Sequence, residues 1–368
     1  MNGSWAEIDL AKFDANIKCV RAALRRETSL MLVVKANAYG HGLCEIVKQA
    51  AASGVTWFVT AYATEARAIR EILPHVRILV LGAVHPDDAP ELAALNITPV
   101  VVSEEHGLAL SAVARAAGIK LKVHLKVDTG MGRFGVPWAD VARVFERLSR
   151  SIALEFEGIC THFASVEIKK PSLGPSQMDR FVEVCGQADH FAGRKLFRHA
   201  SSSRAFLYHD PWDLDGVRPG ILLYGYGAGE TLMRVKTEPI LQWKTHVMQA
   251  KRVSAGTTVG YYSTHVTPLP TTIATIACGY ADGYHRALSN KGCVLIGGRR
   301  CAIIGRVSMN WITVDCGPDS NVKFGDEVVL IGRQAGEEIW AGELARQART
   351  IAYEILTSID NTVPRKYS

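Results

Sequence analysis

One lysine of this 368-residue chain stands where it could do covalent chemistry. In Val33-Val34-Lys35-Ala36-Asn37-Ala38-Tyr39-Gly40-His41-Gly42 an apolar run ends in Lys35, followed by small residues, an aromatic and a helix start. A lysine at a partly dry strand end sheds its proton and becomes a nucleophile toward an aldehyde. Position alone also fits a plain solvated lysine, so the rest of the chain has to decide. His162 and His199 fall at predicted strand ends too, where a core histidine and a site histidine read alike.

The elements that would position these residues alternate from residue 29 to about 225. Predicted strands cover 30–34, 56–60, 77–81, 98–102, 120–127, 154–161, 195–200 and 215–218. Helical patterns lie between them at 41–53, 63–73, 87–95, 104–117, 137–149, 175–192 and 203–209. Seven strand–helix units and an eighth strand are the pattern of a TIM-like (βα)8 barrel, whose active sites gather at the carboxyl ends of its strands. Beyond about 230 strands follow one another at 240–253, 272–278, 293–296, 301–307, 311–316 and 327–331, separated by Gly, Pro and Asn. That texture predicts an α/β chain in two domains. Residues 1–230 form the barrel, and 231–368 form a mostly β domain closed by one helix from 342 to 357. Leu344, Ala348, Ile351 and Ile355 line one face of that helix. Residues 1–10 are candidates to pair with the C-terminal domain.

Composition excludes several classes. With 48% hydrophobic and 21% charged residues the chain reads as globular, and its apolar runs (78–84, 98–102) fall far short of the ~18 residues that span a bilayer. Residues 1–9 show no leader pattern. The eight cysteines contain no C-x-x-C pair, so neither a metal site nor a disulfide framework is expected, and a reducing cytoplasm fits. The net charge of +6 is dispersed: Arg21/Arg25/Arg26, Lys169/Lys170 and Arg299/Arg300 are its densest clusters, and no basic, aromatic-rich stripe predicts nucleic-acid binding.

The Lys35 segment resembles the pyridoxal phosphate (PLP) lysine motif of the alanine racemase family. Further motifs are similar to that family in the same order. They are Trp5-Ala6-Glu7-Ile8-Asp9-Leu10, Lys126-Val127-Asp128-Thr129-Gly130-Met131-Gly132-Arg133, Thr161-His162-Phe163, Val217-Arg218-Pro219-Gly220-Ile221, Gly279-Tyr280-Ala281-Asp282-Gly283, Gly305-Arg306-Val307-Ser308-Met309 and Tyr353-Glu354. The resemblance runs from residue 5 to about 365. It implies a PLP-dependent, two-base racemase of alanine that supplies D-alanine for peptidoglycan, with Lys35 as one base and Tyr261 as the other. In the family that tyrosine comes from the second subunit of a homodimer. A tyrosine, with a free pKa of about 10, needs nearby positive charge for this work. The resemblance places the cofactor phosphate against Tyr39, Ser203, Gly220, Ile221 and Tyr353. It sets Arg218 at the pyridine nitrogen, with His162 behind the ring or beside Arg218. Arg133 and Met309 would hold the substrate carboxylate, and Lys126, a lysine often carbamylated in the family, would support Arg133. Tyr280 near the substrate mouth argues for a small substrate.

One departure stands out: Asn310 occupies a position where many members carry Asp. Asn keeps the shape and loses the charge, which is expected to change proton affinities near Tyr261. A serine/alanine racemase of broader specificity and a non-catalytic PLP-binding protein remain the alternatives. Decarboxylases of this architecture commonly put a carboxylate at the pyridine nitrogen, so Arg218 counts against them.

Overall fold

The computed structural model describes residues 3–166, 173–227 and 234–368. Lys169, Lys170 and the expected boundary at 230 lie outside the described residues. The chain divides into two compact units: Asp14–Ala38 with Leu43–Thr237, and Met1–Phe13 with Tyr39–Gly42 and Glu238–Ser368.

The first unit is a closed barrel of eight parallel strands: Ser29–Val33, Trp57–Thr60, Arg77–Val80, Ile97–Val101, Leu121–Asp128, Leu154–Cys160, Phe197–Ser202 and Gly216–Arg218. The last closes on the first, with Gly216 opposite Ser29 and Val217 opposite Leu30. Runs such as Trp57–Thr60 and Ile97–Val101 are buried at every position, as expected of strands covered on both faces. The surrounding helices follow from their apolar spacing. Helix Val141–Ser149 buries Val141, Val144, Phe145 and Leu148 on one stripe. Helix Glu104–Ala116 starts where the Ser103 hydroxyl accepts from the His106 N–H at 3.1 Å, with two glutamates in its first turn.

The second unit is built on a nine-stranded sheet that curls so that Leu241–Val253 also pairs with Glu327–Gln334. Trp5–Ile8 joins it, antiparallel to Leu241–Lys244 and parallel to Arg365–Tyr367.

Three expectations need correction. The single closing helix is two, Ala341–Ala348 and Ala352–Thr357. Arg349 turns left-handed (φ 61°) and the Thr350 N–H reaches the Ala345 carbonyl at 2.8 Å, a closed helix end that leaves Ile351 extended and exposed rather than on the apolar face. The strand expected over 301–307 ends at Ile303, because residues 304–311 form the loop to strand Ile312–Gly317. Finally, the helix expected from residue 41 begins at Leu43, after a turn described below.

Candidate active site

Lys35 lies just past the carboxyl end of strand Ser29–Val33 and opens a left-handed turn. Ala36, Asn37, Ala38 and Tyr39 all have φ between 52° and 54°. For residues with a Cβ this conformation costs roughly 1–2 kcal/mol each, so neighbours must hold it. Glu65 accepts from the Ala36 N–H at 2.6 Å, the Asn37 side chain accepts from the Leu43 N–H at 2.7 Å, and the Ala38 N–H bonds the Val34 carbonyl at 2.9 Å. Glu65 is further engaged by the N–H groups of Ala61 and Tyr62. The lysine itself forms no ion pair with a described residue, and solvent reaches it. Surrounding protein lowers its proton affinity chiefly by burial and then through the charge of Arg133, with Glu65 opposing.

Lys126 sits on strand Leu121–Asp128, which does not pair with the Lys35 strand, and is buried and likewise without an ion pair among the described residues. Burial pushes its proton affinity down, and Arg218, Arg133 and Lys35 add to the effect. The loop carrying Arg133 is pinned by Asp128, whose carboxylate accepts from the N–H groups of Gly130, Met131 and Gly132 at 2.8–2.9 Å. Arg133 is exposed. Arg218, at the end of strand Gly216–Arg218, is buried and fully engaged on one side. Its Nη2 donates to the carbonyls of Thr161 (2.7 Å) and Ala200 (2.8 Å), and its Nη1 to His199 Nδ1 (2.6 Å). Burial lowers even its proton affinity, yet a guanidinium stays charged. His162 lies half-buried, held to about 3 by burial and by the charges of Arg218, Lys126, Arg133 and Lys35, so it is neutral. Its ring makes no hydrogen bond to Arg218; that partner is His199.

At the end of strand Phe197–Ser202, the Ser203 hydroxyl accepts from the Gly220 N–H at 2.9 Å rather than capping its own helix. Gly220 therefore has no backbone donor to spare, whereas the Ile221 N–H meets no acceptor among the described residues. The barrel unit thus brings together Lys35, Lys126, Arg133, His162 and Arg218 as mutual electrostatic neighbours.

The remaining residues belong to the other unit. Tyr39 and Tyr353 face each other with ring centroids 6.0 Å apart. Tyr280 and Met309 are stitched together, the Tyr280 N–H to the Ser308 carbonyl at 3.0 Å and the Ala281 N–H to the Met309 carbonyl at 2.9 Å. Gly279 allows this, because a Cβ there would sit 2.2 Å from the Met309 oxygen. Tyr261 follows Gly260, whose backbone lies against that of Gly305 and Arg306 in the separate 304–311 loop. Tyr261 is 67% exposed and Met309 55%, with Tyr280 and Asn310 also exposed.

Sequence reasoning missed Glu65 and His124. The signal for His124 was available, since it lies two residues before Lys126 and so shares its face of the strand.

Residues 8–228 match the family profile "Alanine racemase, N-terminal domain", and residues 240–367 match "Alanine racemase, C-terminal domain". The chain belongs to the alanine racemase family. A relative from Halothermothrix orenii, named alanine racemase, is 39% identical over 99% of this chain and 96% of its own length. The Bacillus anthracis alanine racemase with bound L-Ala-P superposes with a TM-score of 0.93 at 32% identity, covering 100% of this chain and 95% of that one. The Bartonella henselae alanine racemase with covalently bound pyridoxal phosphate gives 0.90 at 29% identity, with all of both chains covered. The family is PLP-dependent. Among the described residues no group of three or more His, Cys, Asp or Glu could hold a metal, and no helix is long and apolar enough to cross a membrane.

Proposed function

We propose that this protein interconverts L- and D-alanine with PLP, and that residues 1–230 hold the cofactor while 231–368 supply the opposing base. The observation that carries the reading is the group of four basic side chains, Lys35, Lys126, Arg133 and Arg218, with no carboxylate paired to any of them among the described residues. That donor set suits an anionic aldehyde. Lys35 offers an amine of lowered basicity, Arg218 has an Nη1 proton left after its three bonds, and the Ile221 N–H and Ser203 hydroxyl suit a phosphate. When bound, PLP acidifies the α-proton of an amino acid by drawing electrons from it.

This chain's residues do the rest. Lys35 takes or returns the α-proton on one face, and Tyr261 does so on the other. Arg133 and the Met309 N–H hold the substrate carboxylate, with Lys126, as a carbamate, supporting Arg133. An amine reacts with CO2 in its deprotonated form, and burial shifts Lys126 toward that form. Arg218 cannot give up a proton, so facing the ring nitrogen of a bound PLP it would leave that nitrogen unprotonated, a weaker electron sink that would suit proton return over side reactions. Tyr39 and Tyr353 serve the phosphate, and Tyr280 limits substrate size. Exposed Tyr261, Tyr262 and Met309 suit cover by a second copy, which makes the working form a homodimer with shared sites. The cytoplasm is its expected location.

Incubation of the purified protein with L-alanine in D2O, with and without PLP, tests the reading. Deuterium at Cα together with D-alanine is expected, with Lys35→Ala and Tyr261→Phe losing racemisation. Exchange without D-alanine would remove Tyr261 from its role. No exchange with bound PLP would favour a carrier, and faster turnover of L-serine a broader racemase.

A further inference from the structure

His124 lies inside the barrel on strand Leu121–Asp128, two residues before Lys126, and is fully buried. Its Nδ1 is 2.8 Å from His199 Nε2, and His199 Nδ1 is 2.6 Å from Arg218 Nη1. The direction of every proton in this chain follows from one fact: a guanidinium only donates. His199 Nδ1 must therefore accept, so a neutral His199 carries its proton on Nε2. That proton has one place to go, the bare Nδ1 of His124, whose own proton is then on Nε2. The Nε2 of His124 is buried and has no partner among the described residues. A buried N–H left without an acceptor is uncommon and unfavourable, and nothing else about the site asks for a histidine here.

The surroundings hold both rings in this arrangement. Gly158 on the adjacent strand leaves room for the His124 ring, because a Cβ there would come within 2.7 Å of its Cε1 and Nδ1. Trp57 meets the ring edge-on, with centroids 6.1 Å apart, and carries the Arg77 guanidinium over its own ring, 3.7 Å from the centroid. Burial with the charges of Arg77 and Arg218 keeps His124 neutral, and burial with Arg218 does the same for His199.

We infer that His124 is a positioning residue: by accepting the Nε2 proton of His199 it fixes the tautomer that receives Arg218, and so leaves one Nη1 proton of Arg218 for the cofactor's ring nitrogen. Only the last step rests on the proposed cofactor. The tautomers are a property of the protein alone, and they are read without it.

The test is 15N NMR of the cofactor-free protein labelled in its histidine rings. His199 and His124 are both expected with protonated Nε2 and bare Nδ1. In His124→Leu, His199 has lost its acceptor, so its Nε2–H signature is expected to weaken, with PLP affinity and kcat each falling roughly tenfold and KM for alanine little changed. His124→Asn places an amide oxygen near the former Nδ1 and is expected to restore the His199 signature and most of the affinity. A wild-type His199 protonated on Nδ1 or on both nitrogens overturns the inference, even if His124→Leu does not fold. So does a folded His124→Leu whose His199 signals and PLP affinity match the wild type. A wild-type protein with the expected tautomers that binds no PLP leaves the His124 inference standing and overturns the proposed function instead.

Discussion

The two ends of the barrel carry the same kinds of side chain and treat them oppositely. At the amino ends of the strands the basic residues are matched with acids. Arg77 and Lys122 both lie against Glu157 (3.7 and 3.3 Å), Lys120 against Glu155 (3.7 Å) and Lys195 against Asp215 (2.9 Å). At the carboxyl ends Lys35, Lys126, Arg133 and Arg218 stand close enough to perturb one another and none has a carboxylate partner among the described residues. A folded protein gains nothing from such crowding, so the positive charge is held for a ligand. The amino end is built for stability and the carboxyl end for binding, the division expected of barrel enzymes.

The largest test of that contrast is Lys35→Ala. It is expected to lower D-alanine formation by about 10^3-fold or more, the scale of losing a covalent and acid–base group together; activity within tenfold of wild type would break the comparison. Tyr261→Phe should cost on the order of 10^2-fold or more in racemisation while deuterium still enters one enantiomer, which coupled chiral analysis and mass spectrometry would resolve.

Acid sharpens the comparison at the next level. His124 and His162 are both held to about 3, well below the ordinary histidine value near 6.5. The unfolded chain therefore takes up these protons first as pH falls. Their contribution to stability is complete above about 6.5 and is lost progressively as pH drops toward 3. Urea midpoints of the cofactor-free protein at pH 7, 5.5 and 4.5 should decline across that range, and His124→Leu should flatten the decline.

Replacing Lys126 with Met ought to separate binding from stability. In CO2-free buffer, where Lys126 is a buried amine and not a carbamate, its removal is expected to raise the cofactor-free stability by roughly 0.5–2 kcal/mol while activity falls; a lower melting temperature would mean that the charge is compensated after all. The smallest effect belongs to the other end. Glu157→Gln should destabilise by about 1 kcal/mol or less, as partly exposed ion pairs do, and leave kcat and KM unaltered.

The second unit offers a different contrast. Its candidates, Tyr261, Tyr280, Met309 and Asn310, are exposed on loops, whereas Lys126 and Arg218 are buried on strands. The strand residues were legible from periodicity, because a strand end is marked by where an apolar run stops. The loop residues were legible only through the order of the family motifs, since a turn such as Gly260-Tyr261 carries no periodic signal. Helix ends were legible least: Arg349 ends a helix by turning left-handed, and nothing in Ala348-Arg349-Thr350-Ile351 distinguishes that from one helix continuing.

What the sequence by itself determined is the alternation that makes a barrel, the β-rich second half and the family, because apolar spacing and ordered motifs are properties of neighbours along the chain. What only the tertiary structure decided is the behaviour of groups that meet across strands. That Ser203 takes the Gly220 N–H, that Glu65 holds the left-handed turn after Lys35, and that Arg218, His199 and His124 form one directed chain all depend on contacts between residues 17 to 75 positions apart. Hydrogen bonds of 2.6–2.9 Å are set by register and by the room a glycine leaves. Neither quantity is written in any one segment of the sequence.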